Sequence, residues 1–398
     1  MGNKNILFLT TTNLASNPRL CKELQIAEEI FDSIDVVQFR LGNWSDEITD
    51  SIKLNFKKTN FIELSATRNP FFPWLFSSLI EMGLNLIYFE LFGLRLTSYS
   101  LNKRSILLNL KLNKNKKKYD WIIAHNPGAF FPAYTFSKRT ECMLGLDIED
   151  YHPGETNDFK KSQRMLKMMQ KVLPKANYCS FASSQIQIEV EQQLGGGMRN
   201  WFTIINGFPR EEFITPIEDN SEKLKLIWFS QNIAENRGLE YFIKAANELN
   251  NEIELHLIGS LTKENSEKLL TNSNGIYIHD PLSQRELHVF ISRFDIGLAI
   301  EPCKDFNNSI SLSNKLLAYA QAGLYVIATP TIGQLGFLNN SNLNYSIVNL
   351  EEAEIFNCLK TMLQTKRINK LNKQEQFKNA QKYAWEEINM PLIEAWNS

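Results

Sequence analysis

Short apolar runs alternate with longer amphipathic segments along most of this chain. A run of roughly four to eight apolar residues between turn residues is typical of a buried strand, whereas apolar side chains three to four positions apart indicate a helix. The alternation predicts an α/β fold in which helices connect the strands of a parallel sheet. In the first half of the chain, the predicted strands are 6–10, 34–39, 121–124, 144–148, 178–182 and 202–205.

A second series begins after Asn206-Gly207-Phe208-Pro209, because Gly and Pro interrupt regular structure there and a polar, acidic stretch follows to Lys223. We place the linker at this point. This division predicts an N-terminal domain over 1–207, a C-terminal domain over 208–379, and a last helix at about 380–398 that can pack back onto the first domain. In the second domain the predicted strands are 224–229, 253–258, 276–279, 296–300 and 324–328, and the predicted helices are 238–249, 263–270, 284–293 and 312–322.

Two doubly wound, Rossmann-like domains that face a cleft are the simplest architecture for two such series. The length of 398 residues is sufficient for two domains with separate cores. Ligands of doubly wound sheets bind beyond the carboxyl ends of the strands, so functional residues are expected in the loops that follow the predicted strands.

Composition narrows the class of ligand. The 43 Lys and Arg residues balance 44 Asp and Glu residues, and a net charge of −1 supplies no overall field to hold a polyanion such as DNA. Any bound anion must be held by local groups. The five cysteines form no Cys-x-x-Cys pair, which indicates reduced thiols rather than a zinc site or a disulfide framework. No secretory leader is recognised at the N-terminus, and we expect a cytoplasmic protein.

The segment 71–96 is rich in aromatic and aliphatic residues. Glu81, Asn85, Glu90 and Arg95 divide it into runs that are too short to span about 30 Å of hydrocarbon. Six lysines and one arginine follow between 103 and 118 without an acidic residue among them. Two interpretations stay open: an apolar helix and a basic stretch that contact an anionic membrane surface, or a core helix followed by a solvated loop.

The loop predicted after strand 224–229 contains the first candidate site. Ser230 and Gln231 lead to Arg237 and Gly238 at the start of a predicted helix. A helix N-terminus carries a partial positive charge, and a guanidinium beside it can bind two phosphate oxygens. The alternative is an ordinary solvated arginine.

A second candidate site lies at the start of the predicted helix 312–322. Ser313 or Asn314 can cap this helix, and Lys315 in its first turn is unfavourable against the helix dipole unless an anion lies nearby. The position of Lys315 therefore favours a bound anion. Gly323 then ends the helix.

A third candidate site, 147–155, places four carboxylates and one imidazole at and just after the end of a predicted strand. Asp150, His152 and Glu155 can contact a substrate, hold a metal ion or cap local structure. Because neighbouring strand residues point to opposite faces, the four acids cannot all converge on one ion. His125 also follows a strand, either as a ligand contact or as a hydrogen-bonded structural histidine.

Several common functional motifs are missing from the positions where this fold would need them. The sequence has no Gly-x-Gly-x-x-Gly, no phosphate-loop Gly-Lys-Ser/Thr and no Gly-x-Ser-x-Gly at such a position. Dinucleotide binding of the Rossmann type, nucleoside triphosphate hydrolysis and serine hydrolase chemistry are therefore disfavoured.

Taken together, the segments resemble the retaining glycosyltransferases of family 4, which have the two-domain GT-B fold. The resemblance extends over most of the chain. In the acceptor-side domain it rests on Ser16-Asn17-Pro18-Arg19, on 120–126 and on 147–155. In the donor-side domain it rests on Trp228-Phe229-Ser230-Gln231, on 236–240, 294–302 and 314–323, and on 329–337 with Gln334.

The resemblance implies transfer of a sugar from a nucleoside diphosphate sugar to a hydroxyl group, with retained anomeric configuration and without a metal or other cofactor. The acceptor is expected to be a saccharide or lipid-linked saccharide of surface polysaccharide synthesis, at the inner face of the cell membrane. Arg237 and Lys315 would neutralise the leaving diphosphate, and His152 would contact the donor sugar. Ser230, Gln231, Glu301 and Asn314 would line the donor pocket, and Asn17, Arg19, His125, Asp150 and Glu155 would lie on the acceptor side.

One departure from the family concerns the ribose. Many members carry a Glu-x7-Glu pattern whose second carboxylate binds the ribose hydroxyls, but Ile310 and Ala318 occupy the two positions here. Either Glu301 or Asn314 holds the ribose instead, or donor affinity is low. Two other functions stay open: a catalytically silent subunit that binds nucleotide or glycan, and a nucleotide-sugar epimerase of the same fold.

Overall fold

The computed structural model describes residues 4–87, 92–216, 221, 223–249, 251–270, 275–367 and 372–398. Contacts group the chain into two compact units. The first unit comprises the chain up to Ala182, Ile186–Thr203 and Pro391–Ser398, and the second comprises Ser183–Gln185 and Ile204–Met390. Residues 88–91 of the apolar segment and 217–220 and 222 of the acidic stretch lie outside the described residues.

The first unit contains a seven-stranded parallel sheet in the order β3-β2-β1-β4-β5-β6-β7. Its strands are β1 Asn5–Thr10, β2 Ser33–Arg40, β3 Thr59–Ser65, β4 Trp121–His125, β5 Met143–Ile148, β6 Tyr178–Phe181 and β7 Trp201–Thr203. Its helices are α1 Pro18–Ile30, α2 Ser45–Lys53, α3 Phe71–Leu86, α4 Leu94–Leu101, α5 Arg104–Asn113, α6 Pro127–Thr140, α7 Phe159–Val172 and α8 Ser184–Leu194. The strand order reverses between β1 and β4, where doubly wound sheets place their ligands.

The second unit contains a six-stranded parallel sheet in the order β10-β9-β8-β11-β12-β13. Its strands are β8 Leu224–Ile233, β9 Ile253–Leu261, β10 Ile276–His279, β11 Ile296–Ala299, β12 Tyr325–Ala328 and β13 Tyr345–Ile347. Its helices are α9 Leu239–Glu248, α10 Lys263–Leu269, α11 Gln284–Ile291, α12 Phe306–Ile310, α13 Asn314–Gln321, α14 Ile332–Leu338, α15 Glu352–Arg367, α16 Lys373–Ala380 and α17 Trp385–Ile388. Here the order reverses between β8 and β11.

Alternating residues of the central strand β8 fill two cores on opposite faces of the second sheet. Leu226 and Trp228 pack with α9 and α15, whereas Ile227 packs with α13. The near-continuous apolar sequence of this strand follows from burial on both faces, which is the usual state of a parallel strand. The sheet is therefore a rigid support for the loops at its carboxyl edge.

The last helix, α18 Met390–Asn397, contributes Trp396 to the core of the first unit. The indole ring of Trp396 packs edge-on against Phe8 and Phe31, and its Nε1–H donates a hydrogen bond to the Tyr178 hydroxyl at 3.2 Å. A buried indole with a satisfied N–H contributes large apolar area without the cost of an unpaired donor. The C-terminal residues are thus part of the core of the first unit.

Helix α3 exposes most of its large apolar side chains. Phe72 is 81% exposed and Leu86 is 80% exposed. Beside them, the exposed apolar side chains of this helix are Phe71, Phe76, Leu79 and Met82. The alternative of a core helix is therefore wrong for this face, although Ser77 and Leu84 on the other face are buried. Among the described residues, every helix is too short or too polar to traverse a bilayer.

Candidate functional site

A buried ion network lies at the carboxyl ends of the central strands of the first unit. The Arg19 Nε–H donates to Asp147 Oδ1 at 2.7 Å, and the Ser180 hydroxyl donates to the same oxygen at 2.7 Å. The His125 ring lies between two carboxylates, with Nε2 3.1 Å from Glu23 Oε2 and Nδ1 3.2 Å from Asp147 Oδ2. The side chains of the two ion pairs are 1% exposed.

The buried charges of this network compensate one another, because the cations Arg19 and His125 lie beside the carboxylates Glu23 and Asp147. Burial alone would lower the His125 pKa, but the Glu23 and Asp147 carboxylates raise it to about 10, so the imidazole is protonated at neutral pH. Burial would raise the Asp147 pKa, but Arg19 and His125 lower it to about 2. The three ligand-type side chains Glu23, His125 and Asp147 lie close together. The two cations of the network, Arg19 and His125, already supply the positive charge that these carboxylates require.

Three residues predicted on the acceptor side take part in this buried structure. Asn17 caps α1, because its Oδ1 accepts a hydrogen bond from the Leu20 N–H at 3.0 Å and Pro18 follows at the first helical position. Arg19 and His125 are enclosed within the network. An acceptor cannot touch their side chains in this conformation. Of the two interpretations of His125, the structure therefore favours a hydrogen-bonded structural histidine over a ligand contact.

A cavity of about 410 Å³ in the first unit contains the other predicted residues of this region. His152 and Glu155 line it, and the Glu155 Oε2 accepts a hydrogen bond from His152 Nδ1–H at 2.8 Å. This bond leaves Nε2 of the imidazole for a ligand. Asp150 is half-buried in the preceding loop and does not line the cavity. The remaining lining residues are Thr11, Thr12, Leu101, Asn102, Arg104, Asn126, Pro127, Gly128, Thr156, Lys161 and Met165.

In the second unit, Ser230 and Gln231 lie within β8 rather than in a loop. The strand predicted over 224–229 continues to Ile233 through an irregularity between Phe229 and Asn232. A bulge of this kind re-aims side chains at the end of a strand. Gly259 of the neighbouring strand makes it possible, since a Cβ at that position would lie 2.5 Å from the Ser230 carbonyl oxygen.

Arg237 is held beside this bulge. Its Nη1–H donates to the Ser230 hydroxyl at 2.9 Å. Gly238, which follows it, has a positive φ of 79° and precedes α9. A Cβ on Gly238 would lie 2.7 Å from Cγ2 of Ile300, the residue directly before Glu301. The backbone after Arg237 therefore packs against the end of β11, close to Glu301.

Lys315 is paired with Glu301. The Lys315 Nζ donates to Glu301 Oε1 at 2.5 Å, and the Ser313 hydroxyl donates to the same oxygen at 2.7 Å. Ser313 occupies the N-cap position of α13, but its side chain does not cap the helix, and Asn314 is already the first helical residue. Neither of the two predicted side-chain caps forms. The anion that the position of Lys315 requires is supplied by the chain itself.

Thr329 and Gln334 hold the backbone of Glu301 in place. The Glu301 backbone N–H donates to the Thr329 hydroxyl at 2.9 Å, and the buried Gln334 amide donates to the Thr329 carbonyl oxygen at 2.9 Å.

Ala318 is completely buried in the core on one face of the sheet and offers no polar group to a ribose. Asn314, in the first turn of α13, is exposed.

Sequence reasoning missed Glu23, Arg104 and Lys161. Glu23 had a detectable signal, because it follows Arg19 by four positions and lies on the helical face of Leu20, Leu24 and Ala27. Arg104 and Lys161 had none, since each lies in a basic stretch that is also compatible with a solvated surface.

No family model and no curated protein matches this sequence. Solved structures match its fold over nearly the whole chain. HepE from Anabaena, in complex with UDP and glucose, has a TM-score of 0.64 at 15% identity and covers 100% of both chains. Sucrose-phosphate synthase from Thermosynechococcus elongatus has a TM-score of 0.68 at 12% identity, covering 99% of this chain and 98% of its own. A UDP-N-acetylglucosamine 2-epimerase has a TM-score of 0.58 at 13% identity, covering 99% and 95%.

These likenesses establish the architecture. The chain has the GT-B fold of two Rossmann-like units, each with a parallel sheet, and the predicted fold class is confirmed. Because one fold supports several functions, the activity must be argued from the residues of the site.

Proposed function

We propose that this chain is a retaining, metal-independent glycosyltransferase that moves a sugar from a nucleoside diphosphate sugar to a hydroxyl group. The observation that carries the proposal is the pair of cations at the carboxyl edge of the second sheet. Arg237 follows β8, and Lys315 at the start of α13 pairs with Glu301, which follows β11. These two strands are neighbours at the reversal of the strand order. HepE, whose structures hold UDP-glucose, supports UDP-glucose as the first donor to test.

The proposed chemistry places growing negative charge between these two side chains. As the bond from the sugar to the diphosphate breaks, the acceptor hydroxyl oxygen forms the new bond on the same face of the sugar, and its proton passes to a phosphate oxygen. Arg237 and Lys315 stabilise the departing diphosphate by electrostatic attraction. Lys315 would exchange Glu301 for a phosphate oxygen, which partial exposure of both side chains permits.

The proposed ribose contact is Glu301, with Asn314 beside it. Both hydrogen bonds that the Glu301 carboxylate receives end on Oε1, so Oε2 is left for a ribose hydroxyl. This assignment replaces the carboxylate that other family members carry at the position of Ala318. Ser230 and Gln231 are proposed to line the same donor pocket.

His152 is proposed to contact the donor sugar through Nε2, while Glu155 fixes the ring through Nδ1. Asp150 and Glu155 are proposed to shape the acceptor side. His152→Ala should lower turnover more than it lowers UDP affinity, which steady-state kinetics together with calorimetry can separate.

The decisive experiment is a titration of the full chain with UDP. Arg237→Met and Lys315→Met should each weaken UDP binding by about 1.5–3 kcal/mol, because each removes a charge-assisted contact. Lys263→Met is the matched control, since Lys263 also lies in the first turn of a helix that follows a strand of this sheet but is almost fully exposed. Unchanged UDP affinity in both site variants would overturn the proposal.

Turnover measurements distinguish the proposed transferase from the two other functions. A silent binding subunit, which the alanine at position 318 favours, would bind UDP without releasing it from any donor and acceptor. An epimerase, favoured by the structural neighbour of that activity, would convert UDP-N-acetylglucosamine in the absence of acceptor. UDP release that depends on an acceptor supports the transferase.

We further propose that the acceptor is lipid-linked and that α3 contacts the inner face of the cell membrane from the cytoplasm. Trp74 on this helix lies between two cations, with Arg68 Cζ 5.1 Å and Lys103 Nζ 5.3 Å from its ring centroids. Aromatic and basic side chains beside an apolar face are typical of helices that bind the membrane interface. In sedimentation with vesicles of phosphatidylglycerol and phosphatidylethanolamine, a Phe72→Ser, Leu86→Ser double variant should lose binding, whereas Leu54→Ser, equally exposed on another surface, should not.

A further inference from the structure

The cavity that contains His152 also contains a half-buried arginine without a carboxylate partner. The Arg104 Nη1–H donates to the Thr11 carbonyl oxygen at 2.6 Å, and the guanidinium lies over the Phe39 ring at 5.7 Å. Within the described part of the chain, no carboxylate forms an ion pair with it. Burial lowers the Arg104 pKa, only partly offset by Glu81. A half-buried charge that lacks a counter-ion is costly to fold, and a bound anion would remove the cost.

Lys161 places a second cation at the same cavity. Its backbone N–H donates to the Asp158 side chain at 3.1 Å at the start of α7, while its Nζ has no ion-pair partner among the described residues. Glu155 is the one carboxylate among the described residues of the lining, and it is engaged by His152. Positive charge therefore dominates the lining.

The two side-chain amides of the lining offer donors rather than acceptors. The oxygen of Asn126 accepts from the Thr10 hydroxyl at 2.7 Å, and the oxygen of Asn102 accepts from the Arg104 backbone N–H at 2.9 Å. The remaining polar atom of each side chain is its NH₂ group. The lining therefore combines a guanidinium, an ammonium and two amide NH₂ groups, a set of donors that fits a ligand with several acceptor oxygens.

We propose that this cavity binds the phosphate group of a phosphorylated acceptor, with Arg104 and Lys161 as its cationic contacts. The inference deepens the proposed function, since it names the chemical class of the acceptor. A volume of about 410 Å³ holds more than a phosphate group, so the sugar attached to it fits beside His152. The phosphate belongs either to a soluble sugar phosphate or to a lipid diphosphate carrier.

The test is a titration of the full chain with glucose 1-phosphate while UDP is present at saturation, so that the nucleotide site is blocked. Arg104→Gln and Lys161→Gln should each lower the affinity about tenfold or more, and uncharged glucose should bind more weakly than glucose 1-phosphate. Lys171→Gln is the matched control, because Lys171 is exposed on the last turn of the same helix. Arg104→Lys retains the charge and should restore part of the affinity.

Two results would overturn the proposal: affinities of both site variants within about twofold of the parent, or glucose binding as tightly as its phosphate ester. Thermal melting of each variant shows whether a loss comes from unfolding, and the exposed Lys161 keeps the test valid if Arg104→Gln does not fold. Geranyl diphosphate in place of glucose 1-phosphate distinguishes the two sources, since stronger and equally variant-sensitive binding assigns the phosphate to a lipid carrier.

The outcome is independent of the proposed donor site. If UDP binds and turnover occurs but no phosphate ester binds in the cavity, only the proposed acceptor class is wrong. If glucose 1-phosphate binds through Arg104 and Lys161 but UDP does not bind through Arg237 and Lys315, the phosphate site stands and the transferase proposal fails.

Discussion

Each unit places an ion pair at the carboxyl edge of its parallel sheet, but the two units bury these pairs to different degrees. In the first unit, Arg19 and Asp147 are 1% exposed and surrounded by further charged groups. In the second unit, Lys315 and Glu301 are 16% and 29% exposed. A buried pair is fixed, because breaking it leaves an uncompensated charge, whereas a partly exposed pair can exchange its partner. Position at the carboxyl edge of a sheet does not by itself identify a charge that binds ligands.

The largest effect on stability is expected from a substitution that removes one partner of the buried pair of Arg19 and Asp147. Arg19→Met should lower the free energy of unfolding by about 3–5 kcal/mol, because it leaves the Asp147 carboxylate without its main counter-ion. Chemical denaturation measures this change. Arg40→Met is the control, since Arg40 pairs with Asp50 at 43% exposure and its loss should leave the free energy of unfolding nearly unchanged. Equal costs for the two variants would contradict the comparison.

A smaller effect depends on pH. Burial and the nearby Asp147 carboxylate raise the Glu149 pKa to about 7. Because the unfolded chain then releases this proton at lower pH than the folded chain, the Glu149 contribution to stability falls as pH rises from about 4.5 to 7.

Glu149→Gln should therefore stabilise the protein by about 1–3 kcal/mol at pH 8 and by much less at pH 4. Urea unfolding of parent and variant at both pH values provides the measurement. Glu47→Gln, at an exposed position of α2, should show the same difference from the parent at both. A pH-independent effect of Glu149→Gln would show that its carboxyl titrates normally.

The smallest expected effect concerns the partly exposed pair of Lys315 and Glu301. Lys315→Met should change the free energy of unfolding by less than about 1 kcal/mol, because its pair with Glu301 is partly exposed. Thermal or urea unfolding measures it in the protein without nucleotide. A cost near that of Arg19→Met would mean that the two pairs do not differ in kind.

The central strands were predictable because burial on both faces forces apolar runs. The edge strands β3 and β13 were missed for the converse reason. Thr59–Ser65 has only partly buried and exposed positions, so polar residues interrupt its apolar pattern, and Tyr345–Ile347 is too short to show a period. The extension of β8 through Ser230 and Gln231 was missed because polar residues at an exposed bulge resemble a loop in sequence.

The candidate site was partly predictable for a related reason. Arg237 follows β8 and Glu301, the partner of Lys315, follows β11, and topology alone brings the ends of these neighbouring parallel strands together. Partner choice was not accessible: the sequence does not reveal that Ser313 donates to Glu301 instead of capping α13, since both geometries use the same residues. The proposed roles of the site residues stay predictions until nucleotide binding is measured.

The C-terminal helix has a consequence for the order of assembly. Residues 204–390 form almost all of the second unit as one continuous segment, but the first unit needs Trp396 to cover Phe8 and Phe31. During synthesis, all strands of the second unit emerge before Trp396 does, so the core of the first unit stays incomplete until after the second unit can fold. Removal of 391–398 should therefore impair the half of the protein that is translated first.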